Sequence, residues 1–321
     1  MPDSRRIILM LLLAALPMPL VACWGSVWRA KEPTILRDYN KRGTSFFMQG
    51  DFDAAMRNFN QALKEAQGKD DALNEGYAYM NLARLRIAVG DLDNAARFTV
   101  MAYSVFTRLG NNEEIAHTHL YFGTIERKRG KLDEAENHAR RALKLFEENE
   151  DPQAMAAAYN NIARVLIDRG KLEEAEKMLE EAADWNDDDK DKRHTGAINS
   201  NLADIELARN NIAEGIKYLT RSLDFNRKMK NPYAIANNLA KLGRAHERLE
   251  KPDIEAVIDC YRRAFRVNVT MKLPRRAERD LESLSRILSP LGRSDELKSY
   301  FERIAALKEE LERRSGIFPN P

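Results

Sequence analysis

The 321-residue chain is poor in the residues that would staple a small domain or equip an active site. It has two cysteines, Cys23 and Cys260, and Cys23 falls in a leader-like segment, so Cys260 has no intrachain partner. A disulfide framework and a cysteine-based zinc site are both excluded, and Cys260, set among Val257, Ile258 and Tyr261, reads as a buried, inert thiol. Histidines number five. His117 and His119 are two apart, so on a helix they point in different directions, whereas a zinc-binding helix wants a spacing of four. His138, His194 and His246 are scattered. There is no phosphate-cradling glycine loop and no nucleophile elbow, and no pair of carboxylates stands apart from the helix surfaces as an acid–base couple. No enzyme, metal or cofactor is expected. The acidic run Asp187-Asp188-Asp189-Lys190-Asp191 lacks calcium-loop spacing and reads as a solvated loop. Net charge is only +2, with lysines and glutamates mixed along the chain, so no basic field argues for nucleic acid. Glycine (15) and proline (11) are scarce while charged residues reach 32%, a balance that suits long amphipathic helices.

The longest apolar run, Ile7 to Leu16, is broken by Pro17 and Pro19 and is too short for a membrane span, which needs about 20 residues. Preceded by Arg5 and Arg6, it reads as a signal peptide. It ends in Leu20-Val21-Ala22-Cys23, which resembles the bacterial lipobox. That resemblance implies removal of residues 1–22, acylation of Cys23 and attachment to a membrane facing the periplasm. Trp24 stands where inner-membrane retention would favour Asp, which points to the outer membrane. Acyl chains contribute roughly 0.8 kcal/mol per buried CH₂, so two or three of them hold stably. Residues 23–33 then form a short linker.

Beyond it the chain repeats every forty residues. Small residues recur as Gly43, Ala83, Gly123, Ala163, Ala203 and Gly243, each preceded from the second onward by an apolar residue: Leu82, Phe122, Ile162, Leu202, Leu242. Seven positions on come Gly50, Gly90, Gly130 and Gly170, with Asn210 and Glu250 continuing the column. Further columns are Ala55, Ala95, Ala135, Ala175, Gly215 and Ala62, Ala102, Ala142, Ala182, Ser222. The glycines end a first helix where the backbone needs φ > 0, Asp51 and Asp91 can cap the second, and the small residues let paired helices approach closely. Pro33, Pro152, Pro232 and Pro274 mark starts of first helices. The sixth unit carries two extra residues near Pro252, and a worn seventh unit (Ser285, Gly292, Leu297, Phe301, Ile304) has the polarity of a capping repeat.

These columns resemble tetratricopeptide repeats, in a forty-residue variant longer than the usual thirty-four. Tyr39, Tyr79 and Tyr159 match the bulky aromatic early in the family's first helix, whereas His119, Asn199 and Leu239 depart from it, and Arg86, Glu126 and Glu206 replace a later tyrosine. The resemblance implies an all-α, right-handed α-solenoid of about seven helix-turn-helix repeats over residues 34–308, with 309–321 as helix end and tail. It also puts one face of each first helix on the concave side. On that face stand Asn81, Tyr121, Asn161, Asn201 and Lys241, and three residues further along Arg84, Thr124, Arg164, Asp204 and Arg244. In the long variants such asparagines bind the backbone of an extended peptide, and an amide suits this because it both donates and accepts. The arginines would select acidic side chains by bidentate pairing. The expected peptide groove is therefore Asn81, Arg84, Tyr121, Asn161, Arg164, Asn201, Lys241 and Arg244, on a lipid-anchored scaffold that takes an acidic segment of a partner protein. The competing readings are a self-associating structural lipoprotein and an enzyme on the same scaffold.

Overall fold

The computed structural model describes residues 33–186 and 194–315; Cys23 with its lipobox and the acidic run 187–191 lie outside them. Helix α1 (Pro33–Gln49) pairs with α2 (Phe52–Gly68), α3 (Ala72–Val89) with α4 (Leu92–Leu109), and α5 (Asn112–Lys128) with α6 (Leu132–Glu148). Then α7 (Pro152–Asp168) pairs with α8 (Leu172–Asn186), α9 (Thr195–Ala208) with α10 (Ile212–Lys228), and α11 (Pro232–Glu247) with α12 (Ile254–Thr270). The seventh pair is α13 (Pro274–Leu288) and α14 (Lys298–Ser315), joined through a 3₁₀ turn at Ser294–Leu297. Among the described residues there is no strand, and no helix is long and apolar enough to cross a membrane.

The expected columns take their physical roles. Gly50, Gly90, Gly130 and Gly170 all have φ between 74° and 84°, and Asn210 takes φ 66° in the same place. Glu250 does not adopt positive φ, because the two-residue insertion moves the turn there. Asp51 accepts from the Ala54 amide at 2.9 Å and Asp91 from the Asn94 amide at 3.3 Å. The first helices have a capping column of their own, Asp71, Asn111, Asp151 and Asn231, each accepting from the amide three residues on. In the turns before these caps, Asp70, Gly110, Glu150 and Lys230 all have positive φ, although only one is glycine, and Lys272 does the same before α13.

Packing follows from the small residues. Ala83, Ala163, Ala203, Ala55, Ala95, Ala135 and Ala175 have no exposed surface. A Cβ on Gly43 would stand 2.4 Å from the Phe59 ring, so the glycine is what lets that ring sit between the helices of the first pair. Ser222 replaces alanine in its column because its hydroxyl donates to the Gly196 carbonyl at 2.6 Å and accepts from the Asn238 amide at 2.8 Å. Successive units are also tied on the outside by Arg129 to Asp93, Arg169 to Asp133 and Arg209 to Glu176. Pairs this exposed contribute little individually.

The stack curls far enough to touch itself. One core cluster joins Phe52, Ala55 and Phe59 of α2 and Leu82, Leu85 and Ala88 of α3 to Ala236 of α11 and to Met271 and Leu273, which link α12 to α13. A Cβ on Gly50 would meet Met271 Cγ at 2.6 Å and Pro232 Cγ at 3.1 Å, so the first turn of the chain lies directly on the sixth unit. Lys272 bridges the contact, 3.2 Å from Asp53 and 3.0 Å from Glu310. Units one and two thus meet units six and seven.

Candidate functional site: the inner wall of the superhelix

The first helices carry the inner wall, and adjacent ones are laced by polar bonds between residues about forty apart. Asn81 Nδ2 donates to Asn40 Oδ1 at 3.2 Å, Thr124 to Asn161 Oδ1 at 3.3 Å, and Asn201 Nδ2 to Asn160 Oδ1 at 2.8 Å. Lys241 reaches Ser200 Oγ at 2.9 Å and Asp204 at 2.5 Å. Asn161 also donates to the Ala157 carbonyl at 2.9 Å. In the structure Asn81, Asn161 and Asn201 thus tie neighbouring first helices together. Asn201 is only 6% exposed and sits in the interhelical packing, away from the open surface. A free amide on a solvated face and an amide bonded to the next helix have the same sequence signature, so the periodicity did not separate them.

The cations behave differently. Arg84 Nη2 bonds Thr44 at 3.2 Å and Asn81 at 3.1 Å, and the guanidinium lies 4.5 Å from the Phe47 ring centre, but no carboxylate meets it among the described residues. Its Nε is buried without a partner. Tyr121, near Arg84, is half-buried, and that burial pushes its phenol pKa up. Arg164 has no hydrogen bond or ion pair among the described residues, and burial, followed by the nearby Arg127, lowers its pKa to about 10. Arg244 is exposed and equally without a partner among them. Lys241 differs from both: burial lowers its pKa while its ion pair with Asp204 opposes the shift.

The interior also contains residues that sequence reasoning did not name. Lys128, at the end of α5, keeps an exposed side chain, yet its pKa falls to about 8 as its ammonium is partly desolvated. Burial is the first cause, followed by the fields of Arg164, Arg127, Arg276 and Arg279. Arg276 and Arg279 belong to α13, four units further along the chain. No local signal in the sequence pairs them with it. The inner wall thus offers polar ties along its length and a set of cations lacking counter-charges, an arrangement that can hold an anionic chain.

One further feature was hidden from sequence. His119 Nδ1 lies 2.9 Å from His138 Nδ1, across the α5–α6 pair and beside Tyr103 and Phe122. His117, as expected, points elsewhere, onto Phe146. Cys260 is 9% exposed, and burial pushes its thiol pKa up, in line with an inert side chain.

Paired helices at a forty-residue period, with small residues at every crossing and a polar inner wall, define a tetratricopeptide-type solenoid. The chain belongs to the family described as the MalT-like TPR region, which matches residues 41–317. No curated protein sequence matches it significantly. Similar solved structures include a Rap protein complexed with competence and sporulation factor, with a TM-score of 0.64 at 16% identity over 87% of this chain and 76% of that one. Aspartyl phosphate phosphatase F from Bacillus subtilis gives a TM-score of 0.57 at 15% identity over 85% and 70%. The Cut9–Hcn1 heterotetramer of APC/C gives 0.58 at 12% identity over 86% and 47%. At these identities the likeness is one of fold.

Proposed function

We propose that the protein is a non-enzymatic scaffold, held to a bacterial membrane by acylated Cys23, that binds an acidic segment of a partner protein against its inner wall. The observation that carries this reading is the set of inner-wall cations, Arg84, Arg164 and Arg244, that have no carboxylate among the described residues. Arg84 and Arg164 are half-buried, where a cation without counter-charge is costly and an acidic ligand relieves that cost. The family and the fold support a protein-interaction role, and the similar solved structures include a Rap protein complexed with competence and sporulation factor and the Cut9–Hcn1 heterotetramer of APC/C. Periplasmic exposure and preference for the outer membrane rest on the lipobox resemblance and Trp24. Ordering an extended segment opposes binding, so affinity for a short one should be modest, around micromolar.

The test is photo-crosslinking in cells from probes placed on the inner wall, comparing the wild type with an Arg164→Ala/Arg244→Ala double variant. Neither side chain has a bond to lose among the described residues, so helical signal and melting temperature should stay nearly unchanged while the crosslinked partner disappears. Full retention of the partner by the double variant, with loss on changing the convex second helices, would move recognition to the outer face.

A further inference from the structure

Exposed apolar side chains are spread thinly over the molecule except on one second helix. Among the described residues eleven large hydrophobics are exposed, and four of them, Val100, Met101, Tyr103 and Leu109, belong to α4. No other helix carries more than one. Single exposed apolar residues are ordinary, whereas a cluster marks a surface that meets something. The repeat sharpens the contrast. Val100 is 55% exposed, and its column holds Asn60, Arg140, Glu180 and Thr220 on the other second helices, all of them exposed and polar. The α4 face is also of one sign. Between Asp93 and Glu113 the chain has no acid, while Arg97 and Arg108 are exposed. Arg97 has only a 3.4 Å bond to Asn94, and Arg108 has no partner among the described residues. The opposite surface stands on α8, two units further along. Its fifteen residues include six acids and one lysine. Glu180, Glu181 and Asp184 are exposed and make no hydrogen bond or ion pair among the described residues. Beside them Trp185 is 39% exposed. The chain thus carries an apolar face flanked by arginines and, on a different helix, an exposed aromatic set among acids.

We propose that these two faces are the halves of a contact between copies of this chain, in which the outer face of α4 in one copy takes the end of α8 in the next. Trp185 seats against Val100 and Met101, and Glu180 and Asp184 meet Arg97 and Arg108. A large aromatic at the centre of a contact, with charges at its rim, is where binding energy and specificity concentrate. Charge selects the pairing. Two α4 faces set together would oppose arginine to arginine, and two α8 faces acid to acid, so neither face pairs with itself. Because two different faces meet, association is head-to-tail and need not close into a ring. The contact uses second helices only and is independent of the inner-wall reading.

The experiment is crosslinking in cells between two differently tagged full-length copies. One carries Ser104→Cys on α4 and the other Ala183→Cys on α8, both at exposed positions. A short bismaleimide should join the two tags. The parent chain, in which Cys260 is buried, should give no product. Nor should Lys64→Cys, on α2 in the column of Ser104, when paired with Ala183→Cys. Arg97→Glu/Arg108→Glu in the first copy, or Glu180→Lys/Asp184→Lys in the second, should each lower the product at least about tenfold. The two sets together should largely restore it, which no folding defect could do. Absence of the product, equal product from Lys64→Cys, or failure of the combined set to restore it overturns the proposal. So does a product in which Ser104→Cys joins a different protein and never a copy, which gives the α4 face to another occupant.

Discussion

Acidification should strain the third unit at one place, the His119–His138 pair. With both rings neutral, one Nδ1–H donates to the other Nδ1 across 2.9 Å; with both protonated, two donors face each other. His119 is 8% exposed, and its folded pKa of about 4 is depressed by burial first, then by His138 and Arg141. His138 is lowered too, again by burial first. A histidine whose folded pKa lies below its unfolded value takes up protons more readily when unfolded. Its contribution is therefore complete above about pH 6.5 and is lost as pH falls from there towards 4. For His119 the whole loss is about 3 kcal/mol, of which about 2 kcal/mol has gone by pH 5. Asp280 and Glu114 have raised pKa values, mainly from burial, and work in the opposite sense, so the raw pH curve of the wild type mixes the two. The informative quantity is the difference from His119→Phe, in which a ring still packs against Tyr103 and Phe122 but cannot titrate. Urea unfolding followed by circular dichroism at pH 7 and pH 5 should show the wild type losing about 2 kcal/mol more than the variant. Parallel losses in the two proteins would refute the argument.

Ala163→Leu should destabilise by about 1–3 kcal/mol or more, because the site has no exposed surface and packs within the α7–α8 core, and overpacking forces the helices apart. Lys171→Ala, in an exposed turn with only a surface pair to Glu174, should stay within about 0.5 kcal/mol; comparable denaturation midpoints for the two would mean the repeat register is misread. Cys23→Ala should abolish incorporation of a labelled fatty acid and leave an unprocessed or mislocalised precursor. Equal labelling of the variant would remove the lipid anchor from the functional proposal.

The repeat, its helix pairing and its turn chemistry were legible in the sequence because each is local. A glycine at φ near 80°, an aspartate three residues before a free amide and an alanine at a helix crossing constrain only neighbours within one unit. Asp71, Asn111, Asp151 and Asn231 are caps of the same local kind, each standing three residues before the amide it accepts from. The positive φ at Asp70, Glu150, Lys230 and Lys272 was not readable, because those residue types carry no such signal. Polarity on one face of the first helices pointed to an inner wall, yet could not tell that Asn201 is buried against Asn160 while Arg164 stands alone. Only tertiary structure decided what faces what across the interior. A small rotation at each unit, set by side-chain packing and summed over six units, brings Met271 onto Gly50 and Lys272 onto Asp53. The sequence by itself determined the unit and its inner face; the accumulated curvature, which no single repeat encodes, decided that the first units of the stack meet the last.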